Sequence, residues 1–477
     1  MADPRSRPAG HVPLIMLVVL ALGAAVGLYF GVGAGRQWSA NRGFHPLVIP
    51  AQTAPASDAA AALAATTKGA SPAPSAADAP APTAAGVLAQ LKGTLADPSL
   101  GSSVSAQVYD AATSGTLMNT GAAEVVAPAS TAKLLTTAAL LRVRKGTDRF
   151  TTRVLQGGDA NTVVLVGGGD PTLSAAKVGQ ASEYPEAARI SDLAAQVSKN
   201  LSGAAITSVV VDDSLFSGPS TATGWAPEDA PSSYASPIAA AMVDAGRDAP
   251  GATVRSAAPD LAAGRALADA LGGAQVTRGT APAGARLLGS VQSAPVSTLV
   301  EQTLSESDNV MAEVLARQVA LATGQAGSFA GGAAAVSATL TAAGVAVGAG
   351  MKDGSGLSVA DRIPAGVLGQ TLLLAAGAKH PELRPVITGL AVAGWDGTLV
   401  EQGRFTGTSA IADGVVRAKT GSLTGVTGIA GVLTDSDGRQ LVFAFVADKV
   451  PGGDPNSTSA RTVLDSAVAA LVRCGCR

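Results

Sequence analysis

Pro128-Ala129-Ser130-Thr131-Ala132-Lys133-Leu134-Leu135 is the stretch whose reading decides the fold. Its serine stands three positions before its lysine, just after a proline, and an apolar run with helical spacing follows through Ala138, Leu140 and Leu141. The spacing predicts a helix whose first turn carries Ser130 and Lys133 on one face. A hydroxyl there sits where unpaired backbone N–H groups and the positive helix end favour developing negative charge. A lysine beside it can serve as a base once desolvation or a nearby second cation lowers its pKa. Taken alone the pattern reads as an ordinary capped surface helix, because S-x-x-K arises often by chance.

Two later stretches supply what the first lacks. Ser307-Asp308-Asn309 precedes a second helical run with Val310, Met311, Val314, Leu315 and Val319, and Lys419-Thr420-Gly421-Ser422 ends the strand-like Val415–Ala418. S-x-x-K, S-D-N and K-T-G, in that order, resemble the active-site set of penicillin-binding proteins and class A β-lactamases.

The rest of the chain is organised around these three points. Strand alternation marks Val104–Asp110 and Thr116–Met118 before the Ser130 helix, and Val415–Lys419, Gly428–Leu433 and Gln440–Ala447 near the end, with an Asp435–Gly438 turn. A closing helix follows, with Val463, Leu464, Val468 and Leu471 on one face. Two early strands and three late ones, with helices between, predict an α+β domain with a five-stranded antiparallel sheet, formed by residues 86–150 and 288–477. Residues 151–287 are then an inserted α+β or β-rich region, with short strands at Val163–Val166, Val209–Val211 and from Val254, and a helix at Leu261–Leu271.

At the N-terminus, residues 12–34 run without a charge between Arg5 and Arg7 on one side and Arg36 and Arg42 on the other. Residues 1–38 therefore read as a short cytoplasmic tail and a transmembrane signal anchor, with a cleaved export signal as the alternative. Either places the bulk of the chain outside the cytoplasmic membrane. Residues 39–85, rich in Ala, Pro, Ser and Thr, lack the apolar surface to offset chain entropy and read as a stalk.

Composition closes off other chemistries. A net charge of −2 without a basic stripe argues against nucleic acid. Three histidines, His11, His45 and His380, and no G-x-S-x-G argue against a Ser-His-Asp hydrolase. The same scarcity leaves no metal site, and no cofactor is called for. The two cysteines, Cys474 and Cys476, fall in the last four residues and read as an exposed tail; an intrachain C-x-C bridge or pairing with another protein are the alternatives. Abundant Ala and Gly with 3% aromatics suit a GC-rich genome such as an actinobacterial one.

Further stretches narrow the resemblance. Gly167-Gly168-Gly169-Asp170-Pro171-Thr172-Leu173, Ser307 to Glu313, Asp353-Gly354-Ser355-Gly356-Leu357-Ser358 and Gly394-Trp395-Asp396-Gly397-Thr398-Leu399 are similar to the D-alanyl-D-alanine carboxypeptidases of the penicillin-binding protein 4 type, peptidase family S13. The likeness covers about residues 87 to 472, and Val359 departs from it where the family often has a basic residue. It implies a penicillin-binding, β-lactamase-like fold and no cofactor. Its substrates would be peptidoglycan stem peptides, cleaved through an acyl-serine, and β-lactams would acylate it; endopeptidase action on D-Ala cross-links stays open. In this resemblance Ser130 is the nucleophile, Lys133 its base and Ser307 a proton relay. Asn309 holds the substrate amide, Lys419 places a second positive charge near Lys133, and Thr420 and Ser422 bind the terminal carboxylate. Gly421 lets the substrate backbone approach, and the N–H groups of Ser130 and Ser422 form the oxyanion hole. Asp308, Asp170 and Ser355 read as loop and turn residues.

Two other functions remain to be weighed. A class A β-lactamase needs an extra glutamate for its deacylating water; Glu382-Leu383 is weakly similar to that loop, but Arg384 follows where an asparagine is expected. A non-catalytic peptidoglycan-binding scaffold would have no need of the whole polar set.

Overall fold

The computed structural model describes residues 78–452 and 458–477. Helix Ala84–Leu95 opens the described chain, capped by the Thr83 hydroxyl, which accepts from Gly86 N. Strands β1 (Val104–Asp110) and β2 (Thr116–Thr120) form an antiparallel hairpin. The short β3 (Val125–Val126) leads into the Ser130 segment and helix Lys133–Val143.

The inserted region follows as β4 (Thr151–Gln156), β5 (Thr162–Val166), β6 (Ser208–Asp212), β7 (Gln275–Arg278) and β8 (Leu287–Gln292). Their order in the sheet is β7-β6-β5-β4-β8, with β5, β6 and β7 parallel and β4 antiparallel to both neighbours. Parallel neighbours need crossover connections, and helices Ile190–Asn200 and Pro259–Ala270 supply them. The strand expected from Val254 does not form: Val254 is exposed in irregular chain, and the third parallel strand is β7.

After the insert come helices Val296–Ser305, Asn309–Ala322, Phe329–Ala342 and Gly366–Ala376, with β9 (Ile363–Pro364) paired to β3. The chain then adds β10 (Ala391–Val392), β11 (Arg417–Leu423), β12 (Val426–Thr434) and β13 (Gln440–Ala447) before the last helix, Thr458–Val472. The main sheet has the order β10-β11-β12-β13-β1-β2, antiparallel throughout. It holds the five expected strands and the two-residue β10 at its edge, a piece too short to show alternation.

Period-two alternation of an all-apolar strand explains the layering. On β13, Leu441, Phe443, Phe445 and Ala447 pack with Val87, Leu91, Leu464 and Val468 of the first and last helices. Val442, Ala444 and Val446 face the other way, into the helical layer with Leu134, Leu135, Val314 and Leu368. Helix Lys133–Val143 is the centre of that layer, and Leu134, Leu135, Ala138, Ala139 and Leu140 are all fully buried. Each buried leucine contributes about 1.5–3 kcal/mol, so this helix is fixed in place.

Two expectations are corrected, and a third lies mostly outside the described residues. The transmembrane helix is not found: among the described residues no helix is long and apolar enough to cross a membrane, and residues 12–34 lie outside them. The stalk, residues 39–85, falls outside the described residues up to 77, and its last part is helix and cap. The cysteine tail is not exposed: Cys474 is buried and bonded to Cys476. The Cys476 carbonyl accepts from Thr83 N (2.7 Å) and Thr83 Oγ1 (3.1 Å), which ties the last residues to the first described helix.

Candidate active site

Ser130 lies in a 3-10 turn, Ala129–Ala132, that runs directly into helix Lys133–Val143. The expected first helical turn is therefore tightened by one class. In 3-10 geometry side chains three apart eclipse, which brings Ser130 Oγ within 2.9 Å of Lys133 Nζ. Ala129 enters the turn at φ +48, an uncommon left-handed conformation for a residue with a Cβ.

Lys133 is fully buried and has two further partners: Nζ donates to Asn309 Oδ1 (2.6 Å) and to the Ser355 carbonyl (2.8 Å). Asn309 Nδ2 donates to the Tyr234 carbonyl (3.2 Å), which fixes the amide with its oxygen towards the lysine. Burial lowers the Lys133 pKa to about 8, against the opposing pull of Asp353, Glu313 and Asp308. Burial, more than a neighbouring cation, is what makes the amine available. Lys419, also fully buried, is held well below the usual lysine range by burial and then by Lys133, so the two amines are mutual neighbours. Its Nζ donates to the Thr420 carbonyl (3.0 Å).

The Ser307–Asn309 turn is held from both sides. Ser307 has φ +59, and Asp308 caps helix Asn309–Ala322 by accepting from Met311 N (3.1 Å). The other Asp308 oxygen accepts from Tyr184 (2.8 Å) and Arg255 (2.9 Å), both from the inserted region. Burial alone would raise the Asp308 pKa, but Arg255 and Arg247 outweigh it and hold the carboxyl far below its ordinary range. Asp308 thus holds the turn between Ser307 and Asn309 in place.

On the sheet side, β10 pairs only with Arg417 and Ala418. Among the described residues, no strand lies beside the outer edge of β11 from Lys419 to Leu423, which is the arrangement that accepts an extended peptide. Thr420 Oγ1 donates to Thr398 Oγ1 (3.3 Å), and Ser422 Oγ accepts from Arg461 (3.0 Å). A Cβ on Gly421 would come to 2.9 Å from the Pro128 carbonyl and 3.2 Å from Thr131 Cγ2. Glycine there lets β11 lie against the Ser130 turn.

Hydrogen bonds therefore join Ser130, Lys133 and Asn309 directly, while Lys419 stands beside Lys133. Ser307 stands two residues before Asn309 in the turn and makes no hydrogen bond to Lys133. Thr420 and Ser422 are bonded to other neighbours. Sequence reasoning assigned no part to Glu313, Asp353 or the Ser355 carbonyl, which pack behind Lys133. A Glu313–Arg317 pair at i, i+4 in a mostly apolar helix was the available signal. Tyr184, Arg247 and Arg255 gave none, since loops remote in sequence deliver them. Glu382 pairs with Arg142, near the far end of the Lys133 helix, roughly 14 Å along the axis from Lys133 at 1.5 Å per residue. It has no place at Ser130.

The D-Ala-D-Ala carboxypeptidase 3 (S13) family matches residues 87–253 and 248–471. A carboxypeptidase of Mycobacterium tuberculosis is 45% identical over 399 residues, covering 82% of this chain and 84% of the relative. The carboxypeptidase DacB of Mycolicibacterium smegmatis is 42% identical over 399 residues, covering 82% and 85%. In fold the chain is similar to penicillin binding protein 4 of Haemophilus influenzae, with TM-score 0.66 and 22% identity over 80% of this chain and 98% of that one. A serine-type peptidase that acts on peptidoglycan, with an α+β penicillin-binding fold and a large insert, the chain belongs to the D-Ala-D-Ala carboxypeptidase 3 (S13) family.

Proposed function

We propose that Ser130 is the nucleophile of this carboxypeptidase and Lys133 its base. One observation carries the reading: two of the three Lys133 partners, Asn309 Oδ1 and the Ser355 carbonyl, can only accept. A neutral amine has two N–H groups and one lone pair. With both N–H groups committed to those oxygens, the lone pair is left for the Ser130 hydroxyl.

Ser130 Oγ then attacks the carbonyl of the penultimate D-Ala as its proton passes to Lys133. The C–N bond breaks, and the proton leaves through Ser307 to the departing D-Ala amine. Water releases the acyl group by the reverse proton path. Asn309 holds the substrate amide, and Lys419, Thr420 and Ser422 take the terminal carboxylate, with the peptide along the open edge of β11. Gly421 allows the close approach of strand and turn. The N–H groups of Ser130 and Ser422 receive the oxyanion.

Peptidoglycan places this work in the cell envelope, outside the cytoplasmic membrane. Residues 151–287 act as an accessory unit that braces the Ser307–Asn309 turn through Tyr184 and Arg255. The pairing of Glu382 with Arg142, away from Ser130, disfavours a class A role for it in rapid penicillin hydrolysis.

The test is incubation with benzylpenicillin followed by mass spectrometry, alongside release of D-alanine from a stem pentapeptide. The expected result is a long-lived adduct on Ser130, with Ser130→Ala losing both adduct and D-alanine release while keeping its unfolding midpoint. Activity retained in Ser130→Ala overturns the assignment. Rapid turnover of the penicillin would favour a β-lactamase, and neither adduct nor D-alanine release a scaffold.

A further inference from the structure

The third partner of Lys133 Nζ is a backbone carbonyl, and the structure spends a buried carboxylate on holding it. Glu313 is fully buried in the interior of helix Asn309–Ala322. Its Oε1 accepts from Ser355 N (2.7 Å), and both oxygens lie 3.0 Å from Gly354 N. Two successive amides of the Asp353–Ser358 turn are thus gripped by one side chain. Asp353 holds the rest of the turn from inside, accepting from Gly356 N and Ser358 N at 2.7 Å and from Trp225 Nε1 at 2.8 Å. Thr136 of the Lys133 helix donates to the Gly354 carbonyl (2.6 Å).

The turn is also wedged in space. Gly356 has φ +77, and a Cβ on it would come within 1.8 Å of the Ala129 carbonyl. The same six residues therefore touch the turn that carries Ser130 and the amine that activates it. A buried carboxylate is costly, and an apolar residue of similar size would commonly stabilise the helix as well or better. Burial, and then the Asp353 charge, raise the Glu313 pKa, while Arg317 on the next turn opposes this. Core packing does not require such a group.

We propose that Glu313 is a positioning residue for acyl transfer: by gripping the Gly354 and Ser355 amides it holds the Ser355 carbonyl on Lys133 Nζ, and so aims the amine's lone pair at Ser130. This inference rests on the reading of Lys133 as the base. Without the Ser355 carbonyl the amine loses one of two fixed acceptors and turns about its last bond, and the lone pair leaves the hydroxyl. The charged groups that face Lys133 are Glu313 and Asp308 from helix Asn309–Ala322 and its cap, Asp353 from the turn, and Lys419 from β11. Glu313 acts to raise the Lys133 pKa, so neutralising it moves the Lys133 titration to lower pH.

The experiment resolves benzylpenicillin acylation of the full chain by stopped flow into a binding constant and an acylation rate constant, from about pH 6 to about pH 10. Gly354→Ala puts a Cβ 2.5 Å from Ala316 Cβ and pushes the turn off its seat. The expected result is an acylation constant lowered about 10²-fold, the order of loss for a misplaced reacting group, with the binding constant unchanged. Ala316→Gly in the same chain removes the closest contact, leaving the Ala312 carbonyl at 3.1 Å, and restores a large part of that loss. Glu313→Gln, which keeps the shape but turns one acceptor into an N–H₂ donor, also lowers the acylation constant and moves its pH limb to lower pH.

Parental acylation constants in Gly354→Ala and Glu313→Gln overturn the positioning role. So does a Gly354→Ala loss that falls equally on binding, or one that Ala316→Gly fails to relieve. If Glu313→Gln does not fold, the glycine pair decides alone. Lys133→Met separates the two readings: silent acylation there beside parental Gly354→Ala and Glu313→Gln removes only the positioning role, whereas parental acylation in Lys133→Met removes the base itself.

Discussion

At Lys133 two demands on a catalytic amine conflict. It must be neutral to take a proton, yet three carboxylates nearby favour its ammonium form. Burial wins, and a pKa of about 8 puts a usable fraction of free amine at neutral pH while keeping enough basicity for transfer. The acylation rate is expected to rise with pH through this value and then level off. Lys419→Ala removes the neighbouring amine; to the extent that this amine carries a proton, the Lys133 ammonium becomes easier to form and the limb moves to higher pH. The shift should be modest, because burial is the leading cause and remains. The variant should also bind carboxylate-ended peptides about 10- to 100-fold less well, the loss for a hydrogen bond to a charged group. Acylation against pH with a neutral ester, set beside affinity for a peptide acid, reads the two effects separately; an unmoved limb with the ester would free Lys133 from Lys419.

Among the elements, the inserted sheet reaches the site through side chains more than through its strands. Arg255 and Tyr184 meet one Asp308 oxygen, and Arg247 donates to the Tyr184 hydroxyl (2.8 Å). Asp308→Asn leaves the buried Arg255 guanidinium without its counter-charge, a loss of about 3–5 kcal/mol for a broken buried pair. A lower denaturant midpoint with an unchanged slope is the expected reading. Asp308 also acts to raise the Lys133 pKa, so in the folded fraction the acylation limb should move to lower pH. Stability within about 1 kcal/mol of the parent would show that the insert does not brace the turn. This clamp was not legible in the sequence. Asp308 itself was, as a residue between two functional ones, but its partners come from loops with no periodic pattern.

For the whole molecule, the ends of the chain close one side of the main sheet. Val87 and Leu91 of the first helix share a core with Phe443, Phe445, Leu464 and Val468 of the last strands and helix. Arg439 donates to both Asp110 oxygens (3.0 and 2.6 Å), joining the turns at the ends of β12 and β1. Removing residues 1–77 takes away none of these contacts and should leave penicillin acylation intact. Deletion through Leu95 should destabilise the protein by about 3–6 kcal/mol from those two side chains alone, at 1.5–3 kcal/mol each. Thermal unfolding of the two truncations, with acylation as the activity readout, distinguishes a dispensable leader from a required helix.

The sequence by itself determined the order S-x-x-K, S-D-N, K-T-G, the five long strands of the main sheet and the buried central helix. Each of these is written in near neighbours: spacing of three, alternation of two, apolar runs of helical length. It also marked an insert after the central helix, with Val254 taken for the strand that β7 provides and with the end set at 287, inside β8 (Leu287–Gln292). Tertiary structure decided what spacing cannot carry. The 3-10 turn at Ser130, with Ala129 at φ +48, and the Ser355 carbonyl on Lys133 depend on a turn 222 residues away in the chain. The lysine's pKa follows the same rule, since burial, its leading cause, is a property of what surrounds an amine after the chain has folded.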